Sequence, residues 1–279
     1  MIFKTIDTVL LKDVKRERAK FILKDILPIP YKTVNMISSQ GGMGKTFLSI
    51  RLASEFVKEN NQNALCWFSE DHEGEIGLRF DSLVDCNFVD EYTQNKIRLI
   101  KTEPKQFAIK ESGVFRANYE ALNDIIQDCI ANEIRLLIID PLLAFYGGDE
   151  NDNSQARVFM QPFVEWAKKQ DITIVFIHHS SKSGETTRGA GAFKDAVRTL
   201  YELNYIKDDD GDIDFNKKDR GIRKVTIAKD NRNAYYWFEK LYGDGVAEIK
   251  ILPSREKDEI KHEATNFVSD DNDFLGEIV

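Results

Sequence analysis

Short apolar runs recur along this chain, at residues 33–38, 64–68, 96–100, 135–139 and 172–177, and longer mixed stretches separate them. Runs that are apolar throughout, rather than alternating, belong to strands covered on both faces of a parallel sheet. Between the last two, Phe159, Phe163 and Trp166 recur at helical spacing, which marks a core-facing helix rather than an aromatic binding stripe. Strands alternating with helices predict a doubly wound, mostly parallel α/β sheet. Past residue 197 the pattern changes. Runs at 198–203, 224–228, 235–238 and 247–251, separated by turn-rich sequence, predict antiparallel strands added at the C-terminal edge of that sheet. The acid-rich turn at 208–214 lacks the EF-hand spacing and its closing Glu, and reads as a solvated hairpin.

The two ends read differently. Residues 1–30 hold a charged, helix-compatible stretch from Asp13 to Lys20, then Phe21, Ile22 and Leu23, then the breakers Pro28 and Pro30. They predict a leader packed beside the glycine-rich loop at 41–46. Residues 31–253 form the main domain. Residues 254–279 are charged, acidic and aperiodic, and predict a disordered tail. A chain of 279 residues with 42% hydrophobic content fits one α/β domain with a small appendage. No apolar run reaches the ~18 residues of a membrane span, and no secretory signal opens the chain. Cys66, Cys86 and Cys129 are widely spaced and give neither a metal pattern nor a disulfide set, which suits a reducing cytoplasm. A net charge of −8 excludes a surface that grips nucleic acid everywhere, so any such site is local.

The chemistry gathers after the first long run. Gly41, Gly42, Met43, Gly44, Lys45 and Thr46 follow a predicted strand and open a predicted helix, with Phe47 in its first turn. Triphosphate oxygens need several backbone N–H donors converging at a helix N-terminus, and glycines let the backbone approach. In such a loop Lys45 reaches the β- and γ-phosphates of ATP, and Thr46 ligates Mg²⁺. Ser39 stands where this motif usually opens with Gly or Ala. Asp140 ends a buried strand at the edge where ligands bind in open α/β sheets, and is the expected second partner of Mg²⁺, through a water. Glu70, just past the second strand, is placed to orient and deprotonate the attacking water, with Asp71 as the alternative. His178 and His179 end a further strand, where a polar side chain can sense the γ-phosphate and move the loop after it. Adjacent strand residues face opposite ways and no third ligand is near, so a zinc site is disfavoured. Lys229 and Arg232 follow a strand-like run and either project into a neighbouring subunit's site or remain surface bases at a turn.

These residues carry a resemblance. The chain resembles the RecA-like ATPases of the DnaB/RepA group of hexameric replicative helicases, most of all RepA-type plasmid helicases, from about Phe21 to Asn233. The matching motifs are residues 41–46, Glu70, Asp140, the segment from His178 to Lys182, and Thr187, Arg188, Gly189 and Ala190. The resemblance implies a RecA-like fold, a ring of six, ATP and Mg²⁺ bound between subunits, and 5′→3′ movement on single-stranded DNA held by pore loops. Here the loop at 146–153 is acidic, whereas the loop after the histidines offers Lys182 and Arg188. The resemblance also makes Arg188 a candidate for the finger reaching a neighbour's ATP, in competition with Arg232. Lys229 matches the Lys of the Lys-x-Arg finger, while Arg232 lies one residue beyond the Arg position. A recombination or repair ATPase and a slow, nucleotide-switched scaffold are the alternatives. For the scaffold, Phe274 and Leu275 after acidic residues offer a segment that a replication partner's basic pocket could capture.

Overall fold

A computed structural model describes residues 8–179 and 191–253. The strands and helices run β1 (Phe21–Ile22), β2 (Ile29–Pro30), β3 (Val34–Ser39), α1 (Lys45–Asn60), β4 (Asn63–Phe68), α2 (Glu73–Asp85), β5 (Ile97–Leu99), β6 (Ala108–Glu111), β7 (Val114–Ala117) and α3 (Tyr119–Ala131). They continue with β8 (Ile134–Asp140), α4 (Asn153–Lys169), β9 (Thr173–His179), α5 (Gly191–Ala196), β10 (Thr199–Asn204), α6 (Phe215–Asp219), β11 (Ile222–Asp230), α7 (Ala234–Tyr242) and β12 (Val246–Lys250).

The main sheet has the order β12-β11-β10-β3-β9-β8-β4-β5. From β10 to β5 every neighbour is parallel, and only β11 and β12 join antiparallel. This is the RecA-like α/β fold. The central strands are buried nearly throughout because α1, α2 and α7 pack on one face and α3, α4 and α5 on the other. Each face has its own apolar core. Phe56, Leu48, Tyr201 and Phe238 fill the first, and Phe107, Phe145, Phe159, Phe163 and Phe176 the second. The helical spacing of Phe159, Phe163 and Trp166 is that of α4, whose buried face they form.

Four expectations are corrected. The run at 198–203 is β10, and it lies parallel to β3 rather than antiparallel. The aromatic run at 235–238 is no strand; it lies in α7, where Phe238 turns into the core and Tyr242, one helical turn on, donates to the Ile26 carbonyl at 2.8 Å. Apolar side chains on both sides of a run satisfy a strand and a short helix equally, and tertiary packing decides. The charged stretch 13–20 forms no α-helix; only Leu11–Asp13 make a 3₁₀ turn, since no apolar face is available to pack a longer one. The segment from Phe21 to Pro30 is well anchored, but not beside the phosphate loop. The Leu23 amide donates to Glu59 near the far end of α1, and Tyr201 Oη donates to the Pro28 carbonyl. The turn at 208–214 closes on itself, with the Asp208 amide donating to the Asp212 carbonyl. No helix among the described residues is long and apolar enough to cross a membrane.

Candidate nucleotide site

All the central strands end at one edge, and the chain's polar chemistry is concentrated there. β3 stops at Ser39, and the loop turns through Gly42 and Gly44 at φ of +73° and +89°, conformations that favour glycine, before α1 begins at Lys45. Gly41 has open space where a side chain would stand. Met43 is buried in the first core and pins the loop, so it offers a ligand its backbone only. The amides of Lys45, Thr46 and Phe47, in the first turn of α1, have no intrahelical acceptor and converge on the space above the loop. The geometry is that of an anion cradle. Ser39 fits it without strain, its Oγ donating to the Gln40 carbonyl at 3.0 Å.

Lys45 Nζ donates to that same carbonyl at 2.9 Å and to His179 Nδ1 at 3.2 Å. An ammonium only donates, so Nδ1 is the acceptor and Nε2 carries the ring proton. Nε2 stands 3.7 Å from Glu70 Oε1. Burial and the charge of Lys45 hold the His179 pKa below the ordinary histidine value, so the ring is neutral near pH 7. Burial also lowers the Lys45 pKa, against the pull of Asp140 and Glu70.

Thr46 Oγ1 lies 3.2 Å from Asp71 Oδ2 and 3.4 Å from Asp140 Oδ2. Asp140 ends β8 and is buried, which pushes its pKa up to about 7 despite the opposing charge of Lys45; Glu70 and Asp71 push it further the same way. Asp71 behaves oppositely. Burial raises its pKa, but the Arg79 guanidinium outweighs that, gripping both carboxylate oxygens, one at 2.8 Å, and holds the carboxyl below the usual range. The Arg79 guanidinium also lies 5.8 Å from the ring centre of Phe47. Thr46 and Asp140 supply adjacent hard oxygens, the donor set that suits Mg²⁺, which takes one or two side chains and fills its shell with water and phosphate. Among the described residues no group of three or more His, Cys, Asp or Glu is arranged to hold a metal on its own.

The fold thus brings together Gly41, Gly42, Gly44, Lys45, Thr46, Phe47, Glu70, Asp140 and His179. His178 is not in this cluster: it faces the second core, its ring 6.0 Å from Phe193, because successive strand residues point oppositely. Lys229 and Arg232 lie at and beyond the far end of β11, at the opposite edge of the sheet, with Lys229 Nζ donating to the carbonyls of Lys194 and Asp195 at 2.8 Å each. They are not part of their own chain's site. Lys182, Arg188 and the acidic tail lie outside the described residues. Three contributors are not evident from the sequence pattern. Arg79 is one, although its i,i+4 spacing from Glu75 on α2 is visible there. The others cover the loop from the β10 side: Tyr205 Oη donates to the Gly42 carbonyl at 3.5 Å, and Leu252 lies against Gly44, its Cδ2 2.7 Å from where a Cβ would stand.

The family model AAA_25, described as an AAA domain, matches residues 4–185, well over half of the chain. No curated protein matches it. The matched region contains the phosphate loop, Glu70, Asp140 and His179 on one sheet edge, and the chain belongs to this AAA-domain family of P-loop ATPases.

Proposed function

We propose that the protein is an ATP-driven DNA motor, a hexameric helicase of the RepA/DnaB kind that works on single-stranded DNA in replication. The observation that carries this reading is the position of His179. One side chain touches both Lys45 and Glu70, and it is the last residue of β9, directly before the segment that contains Lys182 and Arg188. When a γ-phosphate draws the Lys45 ammonium toward itself, the Nδ1 of His179 loses its donor and the ring must find a new partner. Occupancy of the site is thereby felt at the root of the segment that would hold DNA.

In this reading Lys45 binds the β- and γ-phosphates, and Thr46 and Asp140 hold Mg²⁺, whose charge offsets that of the phosphates. Glu70 orients the attacking water and takes its proton. Asp71 is committed to Arg79 and Thr46, which favours Glu70 over Asp71 as the base. Arg188, Lys229 or Arg232 of a neighbouring subunit supplies charge to the transition state.

The test is steady-state ATP hydrolysis as single-stranded DNA is added at low and moderate salt, with Glu70→Gln as the control that assigns the turnover to this site. Saturable stimulation that weakens with salt is expected, and at least about a hundredfold loss of rate in the Glu70→Gln chain. Hydrolysis indifferent to DNA at both salt levels overturns the motor and leaves a nucleotide switch.

A further inference from the structure

At the edge of the sheet opposite the phosphate loop, a strip of cations and aromatic rings begins that the nucleotide site does not use. One end is a groove of about 260 Å³ between residues 17–20 and the loop from β2 into β3, with Arg18, Lys20, Tyr31, Lys32 and Arg232 in its walls. Both sides of the groove are held in place. The Tyr31 amide donates to the Lys20 carbonyl at 2.9 Å, which continues the β1–β2 pairing. Asp230 accepts from the Arg232 and Tyr235 amides with its two carboxylate oxygens, which fixes the turn that presents Arg232. The other end of the strip lies on α7. Phe21, next after Lys20, packs its ring 6.2 Å from that of the half-buried Trp237, and the Lys24 and Lys240 ammonium groups lie 5.0 and 5.5 Å from the Trp237 ring centre. Tyr236, 52% exposed, stands edge-on to Trp237 at 5.5 Å and shares a helical face with Lys240.

In a chain of net charge −8 this strip is locally basic. Two of its acids are already paired, Glu17 with Lys15 at 2.8 Å and Asp171 with Lys32 at 2.6 Å. Asp25 and Glu239 adjoin Lys24 and Lys240 in sequence and form ion pairs with neither. Arg18, Lys20, Lys24, Arg232 and Lys240 thus have no ion pair among the described residues, and all five are exposed. Exposed cations that repel one another and lack counter-charges suit a polyanion. The rings say which kind. A duplex keeps its base faces stacked inside, whereas a single strand offers them to aromatic side chains. A lysine over an exposed ring is held weakly, so a base can take the ring while the displaced ammonium meets the neighbouring phosphate. An acidic peptide segment would satisfy the cations and leave the rings without a stacking partner.

We propose that this strip, from Arg18 and Lys20 across Trp237 to Lys240, binds single-stranded nucleic acid, with phosphates on the cations and bases on the Tyr236 and Trp237 rings. It is a surface additional to the segment that contains Lys182 and Arg188, and it does not rest on the motor reading.

The test uses the full-length chain without nucleotide and an oligothymidylate, labelled with fluorescein for anisotropy and unlabelled for quenching of tryptophan fluorescence, at low and moderate salt. Binding that weakens with salt is expected, with a quench that Trp237→Phe abolishes. Arg18→Glu with Lys20→Glu is expected to weaken binding at least about tenfold, and Tyr236→Ala at least about fivefold. Binding of a fluorescent ATP analogue stays within about twofold in these chains, since none of the substitutions touches the nucleotide site. Oligonucleotide binding that leaves tryptophan emission unchanged and is indifferent to the substitutions places the strand elsewhere; it overturns this proposal and leaves the motor untouched. Equal affinity for a duplex of the same length or for polyglutamate, or no binding at all, overturns it as well. ATP hydrolysis indifferent to DNA, together with an intact Trp237 quench, removes the motor and keeps this surface.

Discussion

At the residue scale, the nucleotide site is a place where the fold holds charge against its own stability. Asp140 is buried at the end of β8 and its carboxyl pKa is pushed up to about 7 from an ordinary 3.8. The folded chain therefore binds this proton more tightly than the unfolded chain does, so the contribution to stability is complete below pH 3.8 and is lost as pH rises through about 7. The nucleotide-free protein is expected to melt lower at pH 8 than at pH 5 on this account. Asp140→Asn removes the ionisation, and should raise the melting temperature at pH 8 by on the order of 5 °C while changing it little at pH 5. Scanning calorimetry of both chains at the two pH values decides it; equal shifts at both would show that packing rather than charge is responsible. The same substitution weakens the Mg²⁺ site, so stability and function pull this residue in opposite directions. Asp71 shows the contrary solution. A carboxylate one residue from Glu70 is kept charged and immobile by Arg79, leaving Glu70 as the one whose geometry can follow a water.

At the scale of elements, Leu252 and Gly221 join the end of β12 to the start of β11 and to the phosphate loop. Gly221 sits at φ +74°, and a Cβ there would stand 2.8 Å from Leu252 Cβ and closer still to its carbonyl. Gly221→Ala is expected to cost about 2–4 kcal/mol in urea unfolding and to loosen nucleotide binding as Leu252 shifts off Gly44. Stability and nucleotide affinity both close to native would dismiss the coupling. How far such elements are legible in the sequence depends on what defines them. The strands at 64–68, 135–139 and 172–177 announce themselves because a strand buried on both faces has no polar positions. The phosphate loop is legible because its chemistry is local in sequence, as are Glu70 and Asp140 at strand ends. The run at 235–238 is not, because apolar residues on every side leave strand and helix equally satisfied. Tyr205 and Leu252 are hidden for another reason: each reaches the site through packing of a distant element, which no local spacing encodes, whereas Arg79 lies only eight residues from Asp71 and its pattern reads equally as an ordinary surface pair with Glu75.

At the scale of the molecule, two apolar cores share one sheet and neither can persist without it. Trp67 and Trp166 report the second core, while Trp237, beside Phe21, reports the helices of the first face. Chains retaining only Trp166 or only Trp237 are expected to unfold at the same urea midpoint, within about 0.3 M, despite a size at which separate transitions become common. Distinct midpoints would mean that one layer of helices can leave while the sheet stays covered on the other side.

The cover that Leu252 lays over Gly44 also has a consequence in time. A ribosome delivers the phosphate loop well before its cover, which comes only after the strands β10, β11 and β12 that carry Leu252 into place. Until then the loop lacks one wall and β3 lacks its neighbour β10, so a half-made chain cannot hold nucleotide as the finished one does. Competence to bind therefore waits on β10, β11 and β12, more than two hundred residues after the loop's own strand has been made.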